Sequence, residues 1–264
     1  MSGDDQFAFA ARDGDDRLEA AEGKKAEPDW QHQIGDPTLD AFLQAETLLH
    51  PDWIAQIVEA DAGVEHQGPI AERAGLAGAV NTLWWDGEQL HGDNTDGAGM
   101  VKDIRDNLGW DIQGKRVLVL GAGGAVRGVM GPLLAEAPTL VRIANRTEEK
   151  AAILARGFMD GKNPPVLGSG LDTLTGQVDL VINAISAGLQ GDMPALPEGL
   201  LAADAVAYDM VYGSEPTPFM VWAQQQGAAA TADGLGMLVE QAAEAFEIWR
   251  GWRPDSAPVI AGLR

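Results

Sequence analysis

A glycine-rich turn between a buried-type strand and a helix constrains the fold of this chain more than any other stretch. The apolar run Val117–Leu120 leads into Gly121–Ala125, and a helix-compatible sequence follows. Backbone N–H groups at such a turn and at the next helix N-terminus carry partial positive charge, which suits a pyrophosphate. Gly121 permits the tight turn, and Gly123 and Gly124 remove side chains where phosphate oxygens approach the backbone. The pattern predicts a dinucleotide site, and its alternative is a ligand-free strand-to-helix turn.

Strand-like and helix-like stretches alternate from about residue 115 to 230. Leu140–Ala144, Val178–Asn183 and Ala205–Met210 follow the glycine turn as buried-type strands. Such alternation predicts an α/β fold with a Rossmann-like, doubly wound parallel sheet. We expect two lobes. Residues 97–233 form the dinucleotide-binding domain, and residues 1–96 form a second lobe that the C-terminal residues 234–264 complete.

The flanking segments have recognisable local signals. Ala71–Gly78 is typical of a helix that ends at glycine, and Asp86-Gly87 predicts a hairpin turn between two strands. We expect a further helix, capped by Asn94 or Thr95, to run to Gly109. Another amphipathic helix follows Gly234. Its predicted apolar side consists of Leu235, Leu238, Val239, Ala242, Phe246 and Trp249.

The composition excludes several classes of function. The chain has 18 basic and 40 acidic residues among 264, and its net charge of −22 argues against binding to nucleic acid or anionic membranes. It contains no cysteine and no apolar run of the roughly 18–20 residues that span a bilayer. Met1–Asp5 shows neither a cationic start nor an apolar export segment, so we expect a cytoplasmic protein.

Residues 1–66 show no clear strand alternation, and the first 30 are polar enough to be disordered. This atypical region contains His32, His50 and His66, whose positions lack metal-site spacing. We therefore predict no metal site.

The turn after the second strand indicates which dinucleotide binds. A site for NAD usually has an Asp or Glu here, which binds the ribose 2′-hydroxyl. This chain instead has Asn145, Arg146 and Thr147, with Lys150 one helical turn later. A guanidinium forms forked hydrogen bonds to a phosphate, and a lysine adds a point charge. The cluster predicts a 2′-phosphate and hence NADP, and its alternative is a solvated helix start.

Six ordered motifs resemble the shikimate dehydrogenase family, and the resemblance extends from about Glu72 to the C-terminus. The motifs are Asn81-Thr82, Asn94–Gly97, Gly121–Ala125, Asn145–Thr147, Asp209–Tyr212 and Ala232–Leu238.

The resemblance implies reversible, NADP-dependent reduction of 3-dehydroshikimate to shikimate, in aromatic amino-acid biosynthesis. It implies that a polyol acid substrate contacts Asn81, Asp96, Tyr212 and Gln241, with Asp96 in a catalytic role. The implied cofactor contacts are Glu72, Gly121, Ala122, Gly123, Gly124, Ala125, Asn145, Arg146, Thr147, Lys150, Met210 and Gly234. A homodimer stays open.

Two family motifs are absent from this chain. They are a Ser-x-Ser-Pro loop and an Asn-Val-Thr-x-Pro-x-Lys motif, whose lysine takes part in proton transfer in the family. No lysine lies between Lys25 and Lys102, so we expect impaired turnover. The alternatives are a non-catalytic NADP-binding protein, a quinate/shikimate-type relative and a tRNA-linked reductase. The acidic composition weighs against the last.

The large negative charge predicts salt-dependent stability. Raising NaCl from low concentration to 1 M shortens the Debye length to about 3 Å and screens the repulsion between acidic groups. We expect the thermal midpoint to rise over this range, as measured by circular dichroism, with sucrose of equal osmolality as the control. An unchanged or falling midpoint in NaCl contradicts the expectation.

Overall fold

The computed structural model describes residues 68–159, 161, 164–185 and 194–264. The predictions for residues 1–66 lie outside these ranges, and the proposed division at residues 96 and 233 remains a prediction. Within the described ranges, every helix is too short or too polar to cross a lipid bilayer.

A six-stranded parallel sheet forms the centre of the described structure. Its order is β5-β4-β3-β6-β7-β8, which confirms the predicted doubly wound α/β fold. The order reverses between β3 and β6, where open sheets of this kind bind ligands at the carboxyl ends of the strands. The strands are β3 (Arg116–Leu120), β4 (Leu140–Asn145), β5 (Val166–Gly170), β6 (Val178–Asn183), β7 (Leu201–Asp209) and β8 (Ala230–Ala232).

Strand β3 packs on both faces of the sheet. Val117 and Val119 belong to one apolar core, and Leu118 and Leu120 belong to the other. All four side chains are fully buried, as expected for a central parallel strand whose two faces are covered by helices. The helices that follow the strands are α3 (Gly124–Ala135), α4 (Glu148–Gly157) and α5 (Pro218–Gln225).

The chain before the sheet forms a helix, a hairpin and a second helix. Helix α1 (Glu72–Ala77) ends at Gly78 in the left-handed conformation, as predicted. Strands β1 (Thr82–Trp85) and β2 (Leu90–Asp93) then pair in the predicted antiparallel hairpin. Helix α2 (Asp96–Lys102) follows and packs against the C-terminal helix α6 (Leu235–Arg250). A last short helix, α7 (Ala257–Leu263), ends the chain.

Three local predictions differ in part from the structure. The helix expected to run unbroken to Gly109 changes to a π-helical turn over Asp103–Asn107, because buried Asp103 bonds to Tyr208 and Asn107. Thr95 lies at the N-cap position of α2, as predicted, but makes no side-chain cap bond because its hydroxyl donates to Asn81. Asn94, the other predicted cap, accepts the Asp96 N–H with its Oδ1 at 3.2 Å.

The third is the buried face of α6, where Val239 and Phe246 are buried as predicted but the rest of the face differs. Its buried residues include Gly236, Glu240 and Ala243, whereas Trp249 on the predicted apolar side is 39% exposed. Glu240 is buried because Arg253, Ser256 and Asn107 donate hydrogen bonds to its carboxylate. Apolar periodicity cannot anticipate a charged residue that other parts of the chain compensate.

Gly99 sets the separation of α2 and α6. A Cβ on Gly99 would lie 2.6 Å from the backbone nitrogen of Gln241 and 2.9 Å from its Cα. Neither atom belongs to a flexible side chain, so the helices could not stay this close with a larger residue.

We expect Gly99→Ala to destabilise the fold by about 1–3 kcal/mol through overpacking, more than the gain of about 1 kcal/mol in helix propensity. Urea unfolding measures the change. Gly157→Ala in α4 is the matched control, since a Cβ there would meet no atom of the described residues within 4 Å, and it should not destabilise. A Gly99→Ala chain with wild-type stability contradicts the close-packing explanation.

Candidate functional site

The carboxyl ends of four neighbouring strands lie side by side at the reversal of the sheet. The N–H of Gly121 donates to Ala144, and the N–H of Ala184 donates to Leu120. One strand further, the N–H of Met210 donates to Asn183. These backbone bonds align the glycine turn with the β4, β6 and β7 ends, where the sequence predicts cofactor contacts.

The glycine turn has the geometry of a phosphate site. Gly121 has φ of 110°, and a Cβ there would lie 3.2 Å from the Ala184 carbonyl oxygen. A Cβ on Gly123 or Gly124 would meet no atom of the described residues within 4 Å, so no described residue fills the space above them. Helix α3 begins at Gly124, and its free N–H groups face this space with a partial positive charge.

Two cations stand free beside the turn after β4. Arg146 and Lys150 are exposed, and neither has a hydrogen-bond or ion-pair partner among the described residues. The Asn145 amide donates to the Thr147 carbonyl at 3.0 Å and holds the turn. Thr147 lies at the N-cap of α4, yet its side chain makes no cap bond. The hydroxyl and both cations are therefore available to an anionic group.

Asn81 and Asp96 form a polar pair at the start of α2. The Asn81 amide nitrogen donates to Asp96 Oδ1 at 2.8 Å. Its oxygen accepts from the Thr95 N–H at 2.9 Å and from the Thr82 hydroxyl at 2.9 Å. Burial raises the pKa of Asp96, and the hydrogen bond from Asn81 opposes that shift.

The Asp96 carboxylate also lies beside the helix that begins at the glycine turn. A Cβ on Gly128 of α3 would stand 3.4 Å from Asp96 Oδ2 and 3.4 Å from Asn94 Oδ1. Helix α3 therefore runs from the predicted phosphate turn to the predicted catalytic carboxylate within about one turn of helix. The predicted cofactor and substrate contacts thus meet on one element.

Gln241 reaches the same region from α6. Its backbone packs on Gly99 of α2, the helix that begins with Asp96. Its amide oxygen is buried and has no hydrogen-bond partner among the described residues. Because an unmade hydrogen bond on a buried acceptor costs stability, this oxygen is suited to accept from a ligand hydroxyl.

A cavity of ≈ 300 Å³ opens at the ends of β6 and β7 and includes Tyr212 in its lining. Asp209 borders it and accepts from Asn183 at 2.9 Å and from Thr217 at 2.5 Å. Burial raises the pKa of Asp209, although hydrogen bonds from Thr217, the Val211 N–H and Asn183 oppose the shift.

Some of the predicted site residues contact one another directly, and others do not. Gly234 packs directly on the backbone of Met210, where a Cβ would collide with its carbonyl. Glu72 and Tyr212 are exposed, and no hydrogen bond in the described ranges joins either to another predicted site residue. The sequence named Asn94 and Thr95 as cap candidates, and Asn94 Oδ1 accepts the Asp96 N–H at 3.2 Å. It did not indicate that Asp93 supports this turn by accepting the Asn94 N–H at 2.7 Å. A short acidic side chain at the end of a strand was the available signal.

Comparison with known proteins identifies relatives along most of the chain. Residues 102–190 match the family described as shikimate / quinate 5-dehydrogenase, and residues 234–263 match the shikimate 5′-dehydrogenase C-terminal domain. A shikimate dehydrogenase (NADP(+)) from Alcanivorax borkumensis is 80% identical over 195 residues, which cover 74% of this chain and 70% of the relative. Another from Alkalilimnicola ehrlichii is 58% identical over 76% of this chain and 73% of the relative.

Solved structures agree with these relatives. A Thermus thermophilus shikimate 5-dehydrogenase in complex with NADP(H) and shikimate is similar with a TM-score of 0.62 and 32% identity, covering 73% of this chain and 70% of that one. A 5-ketofructose reductase from Gluconobacter is similar with a TM-score of 0.64 and 34% identity, covering 76% and 74%.

The free cations beside the β4 turn generate a test of cofactor choice. We expect Arg146→Gln to weaken NADP binding by about tenfold or more, since the forked hydrogen bonds to a phosphate are lost, and to change NAD binding little. Isothermal titration with each dinucleotide measures both affinities. Arg142→Gln is the control, because Arg142 lies on the same strand but bonds to the Thr175 carbonyl. Equal losses for NADP and NAD contradict the 2′-phosphate assignment.

Proposed function

This chain belongs to the shikimate dehydrogenase family, and we propose that it binds NADP and shikimate and interconverts shikimate with 3-dehydroshikimate at a reduced rate. The observation that carries the proposal is the Asn81–Asp96 pair beside Gly128. That contact puts a polar recognition pair next to the helix that begins at the phosphate turn. Nucleotide and ring binding are thereby joined at a single element.

Residues Gly121–Ala125 would hold the pyrophosphate, and Arg146, Thr147 and Lys150 would hold the 2′-phosphate. Two observations on the described part of the chain support this fit: no residue there fills the space above Gly123 and Gly124, and none there pairs with Arg146 or Lys150. Glu72, Asn145, Met210 and Gly234 complete the proposed cofactor contacts. When bound, NADP supplies the acceptor for the hydride that leaves the hydroxyl-bearing ring carbon.

Three amide and carboxylate side chains suit a ring with several hydroxyls. The ionised Asp96 carboxylate accepts hydrogen bonds, and the Asn81 amide orients it. The Gln241 amide oxygen has no donor among the described residues, so it can accept a hydrogen bond from a ring hydroxyl. A site that hydrogen-bonds substrate hydroxyls rejects analogues that lack them, because its buried polar groups are then unpaired. Tyr212, which lines the cavity at the ends of β6 and β7, is the fourth proposed contact.

Asp96 is the remaining side chain for transfer of the substrate's hydroxyl proton. Oxidation of the alcohol requires its hydroxyl proton to leave, and the Asp96 carboxylate is the acceptor that the described residues offer beside Asn81. Burial raises the pKa of Asp96, which makes the carboxylate a better base. No lysine occurs between Lys25 and Lys102, so the usual family partner in this step is missing.

Two related functions have support of their own. The missing lysine favours a non-catalytic NADP-binding protein, which would bind the cofactor without oxidising substrate. The family description that names quinate as well as shikimate favours a quinate/shikimate-type relative. We further propose a cytoplasmic location, as for a biosynthetic enzyme, and leave open a homodimer.

Spectrophotometry at 340 nm tests the proposal, with shikimate and with quinate, each against NADP and NAD. We expect NADPH formation with shikimate at a turnover below the roughly 1–1000 per second typical of enzymes. Asp96→Asn should remove this residual turnover, because its amide cannot accept the proton, while NADP affinity stays unchanged. A turnover in the ordinary range contradicts impairment. Titration that detects NADP binding without shikimate binding selects the non-catalytic alternative.

A further inference from the structure

The guanidinium of Arg73 joins two parts of the structure that carry proposed substrate contacts. Arg73 lies on α1, and its Nε and Nη2 donate to the two carboxylate oxygens of Asp93 at 2.7 Å each. Its Nη1 donates to Glu244 Oε1 at 2.7 Å. Asp93 ends β2 and Glu244 lies on α6. One planar cation therefore ties the hairpin to the C-terminal helix.

The Asp93 end of this tie fixes the turn that leads to Asp96. Asp93 Oδ1 accepts the backbone N–H of Asn94 at 2.7 Å. Asn94 Oδ1 in turn accepts the backbone N–H of Asp96 at 3.2 Å. The Asp93 side chain is only 8% exposed, so without a cation it would be a buried and uncompensated charge. Arg73 thus supports the position of Asp96 through its pair with Asp93 and two further hydrogen bonds.

The Glu244 end fixes the helix that carries Gln241. Glu244 follows Gln241 by three residues on α6, so both side chains lie on one face. Its second oxygen accepts from Arg253 at 2.5 Å. Changing the Arg73–Glu244 hydrogen bond would therefore move the face of α6 that carries Gln241. The Gln241 amide oxygen has no hydrogen-bond partner among the described residues.

We propose that Arg73 is a positioning residue for the substrate: Gly99 sets how closely α2 and α6 pack, and Arg73 orients the turn that leads to Asp96 relative to the α6 face that carries Gln241. This inference rests on the proposed function, in which both groups bind shikimate. Three donors of one rigid fork serve three acceptor oxygens on two elements. A lysine ammonium is a compact charge on a flexible stem and cannot reproduce that fork. Arg73 itself need not contact the ligand.

The test is isothermal titration of the full chain with shikimate and, separately, with NADP. We expect Arg73→Lys to weaken shikimate binding by about tenfold or more, because the fork geometry is lost. NADP affinity should stay within about twofold of wild type, since the glycine turn and the cations after β4 do not contact Arg73. A general loss of structure would lower both affinities together.

Arg116→Lys is the matched control. Arg116 makes the same kind of forked pair, with its Nε and Nη2 on the Asp179 carboxylate at 2.9 and 2.7 Å. It lies at the first residue of β3, at the opposite end of that strand from the glycine turn. Arg116→Lys should leave both affinities at wild-type values. It therefore distinguishes a general effect of replacing a paired arginine by lysine from the positioning role of Arg73.

If Arg73→Lys shows no cooperative melting transition, Glu244→Ala replaces it. Glu244→Ala keeps the Arg73–Asp93 pair and should weaken shikimate binding selectively. Its control is Glu247→Ala, which removes only a 3.3 Å contact to Arg253 and should leave shikimate binding unchanged. Wild-type shikimate affinity in Arg73→Lys, or in the replacement, overturns the inference. So does an equal loss for NADP. A wild-type chain that binds NADP but no shikimate overturns the proposed function instead.

Discussion

Buried carboxylates are the constraint on which the arrangement of this molecule depends. Glu240 is fully buried in α6, and Asp93 and Asp103 are nearly so. Each would destabilise the fold without donors. Glu240 shows how such a buried carboxylate stays ionised. Burial raises its pKa, yet hydrogen bonds from Ser256, Arg253 and Asn107 outweigh burial and hold the pKa below its usual value. Because the donors come from distant parts of the chain, satisfying these groups fixes where α6 must lie.

The scarcity of cations makes their placement informative. Acidic residues outnumber basic ones by 40 to 18, so a chain of this kind gains stability by pairing each arginine. Arg73 and Arg253 are used inside the network around α6. Among the described residues, the side chains of Arg127 and Arg156 also lack a hydrogen-bond or ion-pair partner, so this property alone does not distinguish Arg146 and Lys150. What distinguishes Arg146 and Lys150 is that they follow β4, the strand next to the one that leads into the glycine turn.

The sequence allowed the centre of the sheet and the glycine turn to be predicted, because both depend on local pattern. Val117–Leu120 is an apolar run long enough for a strand buried on both faces, and its glycines follow at once. Strands β5 and β8 escaped prediction for the opposite reason. Two of the five residues of β5 are glycine, and β8 is only Ala-Thr-Ala, so their pairing comes from the neighbouring strands and not from propensity.

The candidate site, too, was predictable only where it depends on short sequence motifs. Asn81 and Asp96 were expected on motif grounds, and the structure joins them by a hydrogen bond. The π-helical turn and the buried face of α6 depend on side chains that meet only after folding. Asp103 illustrates the limit, since its partners are Asn107, four residues away, and Tyr208, 105 residues away. Periodicity cannot encode the second of these contacts.

Recognition and proton transfer can therefore be separated in this chain. The proposed ring contacts are held by the Asn81 pair, by α2 and by α6, all within the described part. The family lysine belongs to a different segment, and this sequence lacks it. Hydrogen bonds to ring hydroxyls favour binding whether or not a second group shuttles the proton, whereas turnover requires both. A loss confined to the lysine motif is thus expected to lower the rate much more than the affinity for shikimate.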